Sequence, residues 1–119
     1  MKIIQIIYPT PLEEIKDINN DNIDIFVKME DGRNYTLTVC TPEFYISYME
    51  KEKSDFVPAG CPDVIVKELT DSTIRKALES YCEYDGYWLK LYYLAGINSD
   101  IFSTESMNQM LDSMDKDLD

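Results

Sequence analysis

Ile23-Asp24-Ile25-Phe26-Val27-Lys28-Met29-Glu30-Asp31-Gly32-Arg33-Asn34-Tyr35-Thr36-Leu37-Thr38-Val39-Cys40 is the stretch that decides how this chain folds. Ile23, Ile25, Val27 and Met29 alternate before Asp31-Gly32, and Tyr35, Leu37 and Val39 alternate after it, the two-residue period of half-buried strands. A two-residue turn would oppose Val27 to Thr36 and send the two apolar sets to opposite faces. A three-residue turn, Glu30-Asp31-Gly32, opposes Val27 to Tyr35, Ile25 to Leu37 and Ile23 to Val39, so one face carries them all. Gly32 then supplies the left-handed residue of the bulged turn. This is the register expected.

Working outward, Ile3 to Tyr8 is nearly continuously apolar and β-branched, which predicts a strand buried on both faces or lying in the sheet centre. Thr10-Pro11-Leu12-Glu13 has the cap, proline and acid of a helix start, docked by Leu12 and Ile15, and Asn19-Asn20-Asp21-Asn22 ends it as a turn. Thr41-Pro42-Glu43 repeats the device for a second helix with Phe44, Tyr45, Tyr48 and Met49 on its apolar side. Ser54 to Pro62 is a loop under which Phe56 and Val57 are expected to tuck. Val64-Ile65-Val66 reads as a short strand. Thr70 caps a third helix whose Ile74, Ala77, Leu78, Tyr81 and Cys82 form one stripe.

After a turn at Asp85-Gly86, Tyr87 to Ala95 is apolar almost all round and so expected to be buried; periodicity does not separate helix from strand there, and the expectation is a helix stopped by Gly96. From Thr104 onward Met107, Met110, Leu111, Met114 and Leu118 share a helical stripe with acids opposite, a core or docking face. The expected fold is α+β: one domain, residues 1–119, with a small mixed, mainly antiparallel four-stranded sheet and helices packed on it. The order is β-α-β-β-α-β-α-α-α, ending in an acidic, Met-rich helix at about 104–118. Its first six elements have the order of a split βαβ arrangement.

Composition narrows the function. The 119 residues carry 23 acids, 11 bases and no histidine, a formal charge of −12, yet 45% are hydrophobic and 12% aromatic, enough for one core. Without histidine there is no Ser-His-Asp, Cys-His or imidazole–zinc site. Asp17, Asn19, Asp21 and Asp24 suggest a calcium loop, but the sixth position is Asn22 instead of glycine and the twelfth is Lys28 instead of glutamate, so the segment reads as a solvated turn. Cys40, Cys61 and Cys82 fit neither a disulfide framework nor a zinc pair, and read as reduced thiols of a cytoplasmic protein. Cys61 has no base nearby in sequence to lower its pKa. The four glycines form no phosphate loop, and carboxylate pairs are too numerous to mark a site. No enzyme, cofactor or metal is expected.

The short apolar N-terminus does not read as a leader and no stretch is long enough to span a membrane. The net negative charge argues against direct binding of nucleic acid or anionic lipid and for a basic protein partner. The residues that would meet it lie in Glu79-Ser80-Tyr81-Cys82-Glu83-Tyr84-Asp85-Gly86-Tyr87-Trp88. Tyr81 belongs to the core stripe, whereas Tyr84 and Tyr87, with Trp88 beside them, are not forced inward and sit among Glu79, Glu83 and Asp85. Aromatics offer contact area at low entropic cost and carboxylates pair with arginine or lysine. From Ala77 onward there are nine acids and two bases, so the last third concentrates the field, with Asp112 and Asp115 as steering charges.

The segments Asp24 to Tyr35, Thr41-Pro42-Glu43 and Val64 to Thr70 resemble small bacterial immunity proteins of contact-dependent inhibition and related polymorphic toxin systems, over roughly Ile23 to Leu94. The resemblance implies a cytoplasmic inhibitor that binds a toxin domain, often a nuclease, and shields its active site. It carries over no individual functional residue. A nuclease must be basic to hold phosphates, so an acidic domain would compete for the same surface. The alternative expectation is an acidic nucleic-acid mimic or adaptor that blocks a basic host or defence protein.

Overall fold

The computed structural model of the chain describes residues 1–97 and 100–118. Strands β1 (Ile3–Ile7), β2 (Asn22–Met29), β3 (Asn34–Cys40) and β4 (Val64–Ile65) form one sheet in the order β1-β2-β3-β4. The first three are antiparallel and β4 joins β3 in parallel through helix α1 (Pro42–Glu52). Helices α2 (Asp71–Tyr81), α3 (Glu83–Gly96) and α4 (Thr104–Leu118) follow, and single 3₁₀ turns lie at Leu12–Glu14 and Asp100–Phe102. The α+β class and the element order are those expected, with the first helix reduced to a 3₁₀ turn.

The β2/β3 register is the one required by the three-residue turn: Val27 faces Tyr35, Ile25 faces Leu37 and Ile23 faces Val39. The turn closes through Met29 and Arg33, and Gly32 has φ +83°. Asp31 holds it from the side, accepting hydrogen bonds from the Arg33 N–H at 2.9 Å and the Tyr35 hydroxyl at 2.6 Å. These bonds keep its carboxyl below the usual range, the Tyr35 hydroxyl contributing most. Both apolar sets therefore point to one face, where they form the core with Ile6, Val64, Val66, Leu69, Ile74, Leu78 and Leu89. α2 inserts Ile74 and Leu78, and α3 lies against β3 with Tyr93 edge-on to Tyr35.

Three expectations are corrected. β1 is an edge strand, bulged between Ile3 and Gln5, with Ile4 59% exposed. The sheet order places it outside β2, so it is neither central nor buried on both faces, and the strand order is not that of a split βαβ sheet. The first turn lacks the expected Thr10 cap: it starts at Leu12 behind Pro11. Phe56 and Val57 do not tuck under their loop but are exposed: neither belongs to the core, and Val57 only borders an open groove with Tyr45 of α1. The Thr41 and Thr70 caps form as expected, accepting from the N–H groups of Phe44 and Thr73.

The β3–α1–β4 crossover converges on a single carboxylate oxygen. The Cys40 thiol (3.3 Å) and the Tyr45 hydroxyl (2.6 Å) both donate to Asp63 Oδ2. Burial, reinforced by Asp63, pushes the Tyr45 phenol well above its ordinary range, and burial pushes the Cys40 thiol up to about 12. Asp63→Ala strands both donors and should cost about 1–3 kcal/mol in urea unfolding, with an unchanged slope.

Burial also raises Tyr35 and Tyr81 to about 12. A folded chain that holds its protons more tightly than the unfolded one loses stability as pH rises. The contribution of these groups is intact below about pH 9 and should fall away between roughly 9 and 12. An absorbance titration of the phenols should accordingly show part of the tyrosines ionising only with loss of the near-UV dichroism. Ionisation of all nine tyrosines in a still-folded chain would contradict it.

Candidate functional site

Four of the seven residues singled out for partner binding, Glu83, Tyr84, Asp85 and Tyr87, fall on one corner, where α2 ends and α3 begins. α2 runs to Tyr81, Cys82 continues in right-handed geometry, and then Tyr84 (φ 54°), Asp85 (φ 56°) and Gly86 (φ 73°) take left-handed conformations in succession. They make one left-handed turn, closed by the Gly86 N–H donating to the Cys82 carbonyl at 3.1 Å. Such a conformation costs a side chain roughly 1–2 kcal/mol per residue, so something must hold it. What holds it is the start of the chain: the Met1 nitrogen donates to the same Cys82 carbonyl at 3.2 Å, and the Met1 methyl occupies the space a Cβ on Gly86 would need.

The turn throws its side chains outward. Tyr84 is 82% exposed and Tyr87 56%, while Trp88, which the sequence leaves undecided, is 47% exposed. Glu83 and Asp85 are exposed with them, and Asp85 forms an ion pair with Lys90 at 3.2 Å. Tyr81 turns inward to the edge of the core, as its place in the apolar stripe predicts. The apolar run after Gly86 is helical, but it is not buried as a whole. Gly86 and Leu89 alone are fully buried in α3; Tyr92 and Tyr93 pack on the core from one side of the helix, while Tyr84, Tyr87 and Trp88 face solvent. The helix ends at Gly96, whose missing side chain lets the Cys61 sulfur approach; a Cβ there would lie 3.2 Å from it.

The remaining two-part picture is less unified than the sequence suggested. Glu79 lines a groove with Met1, Lys2 and Arg75, so it faces bases on the β1 side of α2. Asp112 and Asp115 are exposed on α4, a helix whose main packing partner is the 3₁₀ turn at Asp100–Phe102 and not the α2–α3 corner. The stripe of α4 is uncovered, with Met110 64% exposed alongside Met107, Leu111 and Met114. It is therefore no part of the core; the side chain of Leu118, assigned to the same stripe, lies outside the described residues.

Other chemistry has little to work with. Among the described residues no three of His, Cys, Asp and Glu are grouped to hold a metal, and no helix is long and apolar enough to cross a membrane. All three cysteines are free, and burial followed by the Asp63 charge pushes the exposed Cys61 thiol up, away from the thiolate a nucleophile needs. Comparisons with protein-family models, curated proteins and solved structures return no match.

The left-handed turn makes a prediction of opposite signs at neighbouring positions. Tyr84→Gly removes a strained Cβ and should raise stability by roughly 1 kcal/mol, whereas Gly86→Ala, at positive φ and against Met1, should lower it by about 1 kcal/mol or more. Urea midpoints of the two variants at constant slope measure both. Destabilisation by Tyr84→Gly would show that the phenol is held by contacts instead of being displayed.

Proposed function

We propose that the chain is an immunity protein of the bacterial cytoplasm that binds a cognate toxin, a basic nuclease domain, and neutralises it by covering its active site. The observation that carries this reading is the corner itself: Tyr84 and Tyr87 stand in solvent between Glu83 and Asp85 on a backbone that is costly to hold in that shape. Strain of this kind persists where the surrounding structure over-determines it and concentrates at working surfaces. Exposed tyrosines beside carboxylates match the makeup of interface anchors for arginine and lysine. The acid excess after Ala77, including Asp112 and Asp115 on α4, adds a long-range field that speeds encounter with a basic protein. No catalytic group, cofactor or metal is part of this role.

The test is co-expression with the basic C-terminal domain of a large secreted protein encoded next to this chain. The domain alone should be toxic and the pair harmless, and association should slow steeply between low and high salt as the field is screened. Replacing Glu83→Lys and Asp85→Lys together should weaken binding by roughly 100-fold or more and abolish protection. Full protection by that double variant would remove the corner from the interface.

A further inference from the structure

We infer that the cleft between α2 and α3 is a receptor for one arginine side chain of the basic protein partner. The cleft is about 270 Å³ and is lined by Ser80 and Tyr81 from α2 and by Trp88 and Tyr92 from α3. Trp88 and Tyr92 are one helical turn apart, and their rings meet at 83° with centroids 6.5 Å apart. Tyr81 meets Tyr92 at 72° and 5.2 Å. Rings set this steeply are walls of a box, not a closed stack, and all three line the open cleft.

Each feature of the box favours a cation. Aromatic faces are the negative side of the ring quadrupole and attract a guanidinium or ammonium. Ser80, the one aliphatic hydroxyl in the lining, has already given its proton: its Oγ donates to the Ala77 carbonyl at 2.6 Å. What it presents to the cleft is lone pairs, so it accepts from a donor-rich group and offers nothing to an anion. The lining holds no base, and Glu83 follows Ser80 by three positions where α2 runs out, one helical turn along the same side.

Among cations, the planar guanidinium fits better than an ammonium. It stacks flat on an indole or phenol, sheds water more easily and keeps edge N–H groups for an acceptor such as Ser80 and for a rim carboxylate. A nucleobase could stack on the same walls, but its phosphate would enter the acid-rich last third of the chain, which repels it. This inference rests on the reading of the chain as a binder of a basic protein, and it names the contact at the centre of that interface.

Trp88 is the single tryptophan of the chain and forms one wall of this cleft, so its emission and its indole N–H resonance respond to an occupant. The full chain is titrated with the peptide acetyl-Gly-Gly-Arg-Gly-Gly-amide and with its lysine and citrulline counterparts. The arginine peptide should shift the Trp88 signals saturably and bind roughly fivefold tighter than the lysine peptide, while the uncharged citrulline peptide leaves them unmoved. Followed by amide resonances, Trp88→Ala, at a half-exposed position that does not support the core, should erase the preference for arginine over lysine. Glu83→Lys with Asp85→Lys should weaken both charged peptides and keep the preference. Equal binding of arginine and lysine, a response to citrulline, or a preference that survives Trp88→Ala overturns the inference. Because the peptides are read without the toxin, an indifferent cleft in a protein that still neutralises its toxin overturns only this inference. An arginine-selective cleft in a chain that protects against nothing overturns only the immunity reading.

Discussion

The structure depends on the pairing of Val27 with Tyr35. Once a three-residue turn sets that pair, every apolar residue of β2 and β3 points to the same side. The sheet therefore has one buried face, which the segment after β1 covers in part with Leu12, Ile15 and Ile18 and the helices of the second half cover further. α2 does this with Ile74 and Leu78 in its interior face. α3 does it with Leu89, Tyr92 and Tyr93, leaving Tyr84, Tyr87 and Trp88 exposed. The exposed aromatic corner is the remainder of a two-layer domain whose helix α3 carries more apolar surface than its neighbours cover.

Charge and contact are separate properties here. The acids are weighted to the last third of the sequence and act over distances of about a Debye length, roughly 10 Å at moderate salt. The aromatic residues act only at contact. Glu83, Tyr84, Asp85 and Tyr87 combine both on one turn, whereas Asp112 and Asp115 on α4 contribute field without adjacent aromatics and Glu79 lines a separate groove with Lys2 and Arg75. A surface of this kind separates attraction from recognition: the first is spread and salt-sensitive, the second is local and short-ranged.

What was legible in the residues was whatever local physics determines. The β2/β3 register follows from pleat parity and a glycine, and the starts of α1 and α2 follow from threonine caps at Thr41 and Thr70. What was not legible needed a neighbour far along the chain. Ile3 to Ile7 has the same apolar run at a sheet edge as at its centre, and only the strand order tells them apart. Phe56 and Val57 are exposed because no distant element packs over them into the core, which no property of the loop announces. Tyr87 to Ala95 is apolar almost all round, yet which of its sides are covered depends on what α2 and β3 bring against it. At the corner, Asp85-Gly86 marks a turn, but nothing in Tyr84 or Asp85 signals a left-handed conformation; that is imposed by Met1, 81 residues away from the carbonyl it grips.

That grip has a consequence for how the corner breathes. Binding loops are ordinarily drawn from the least stable parts of a protein and open locally many times for each global unfolding. A turn whose anchor comes from so far along the chain cannot open that way without detaching Met1, which leads into β1, from the Cys82 carbonyl where α2 meets α3. Its amide protection therefore belongs with the core, and the geometry offered to a partner is set before the partner arrives, so that little ordering entropy remains to be lost on contact.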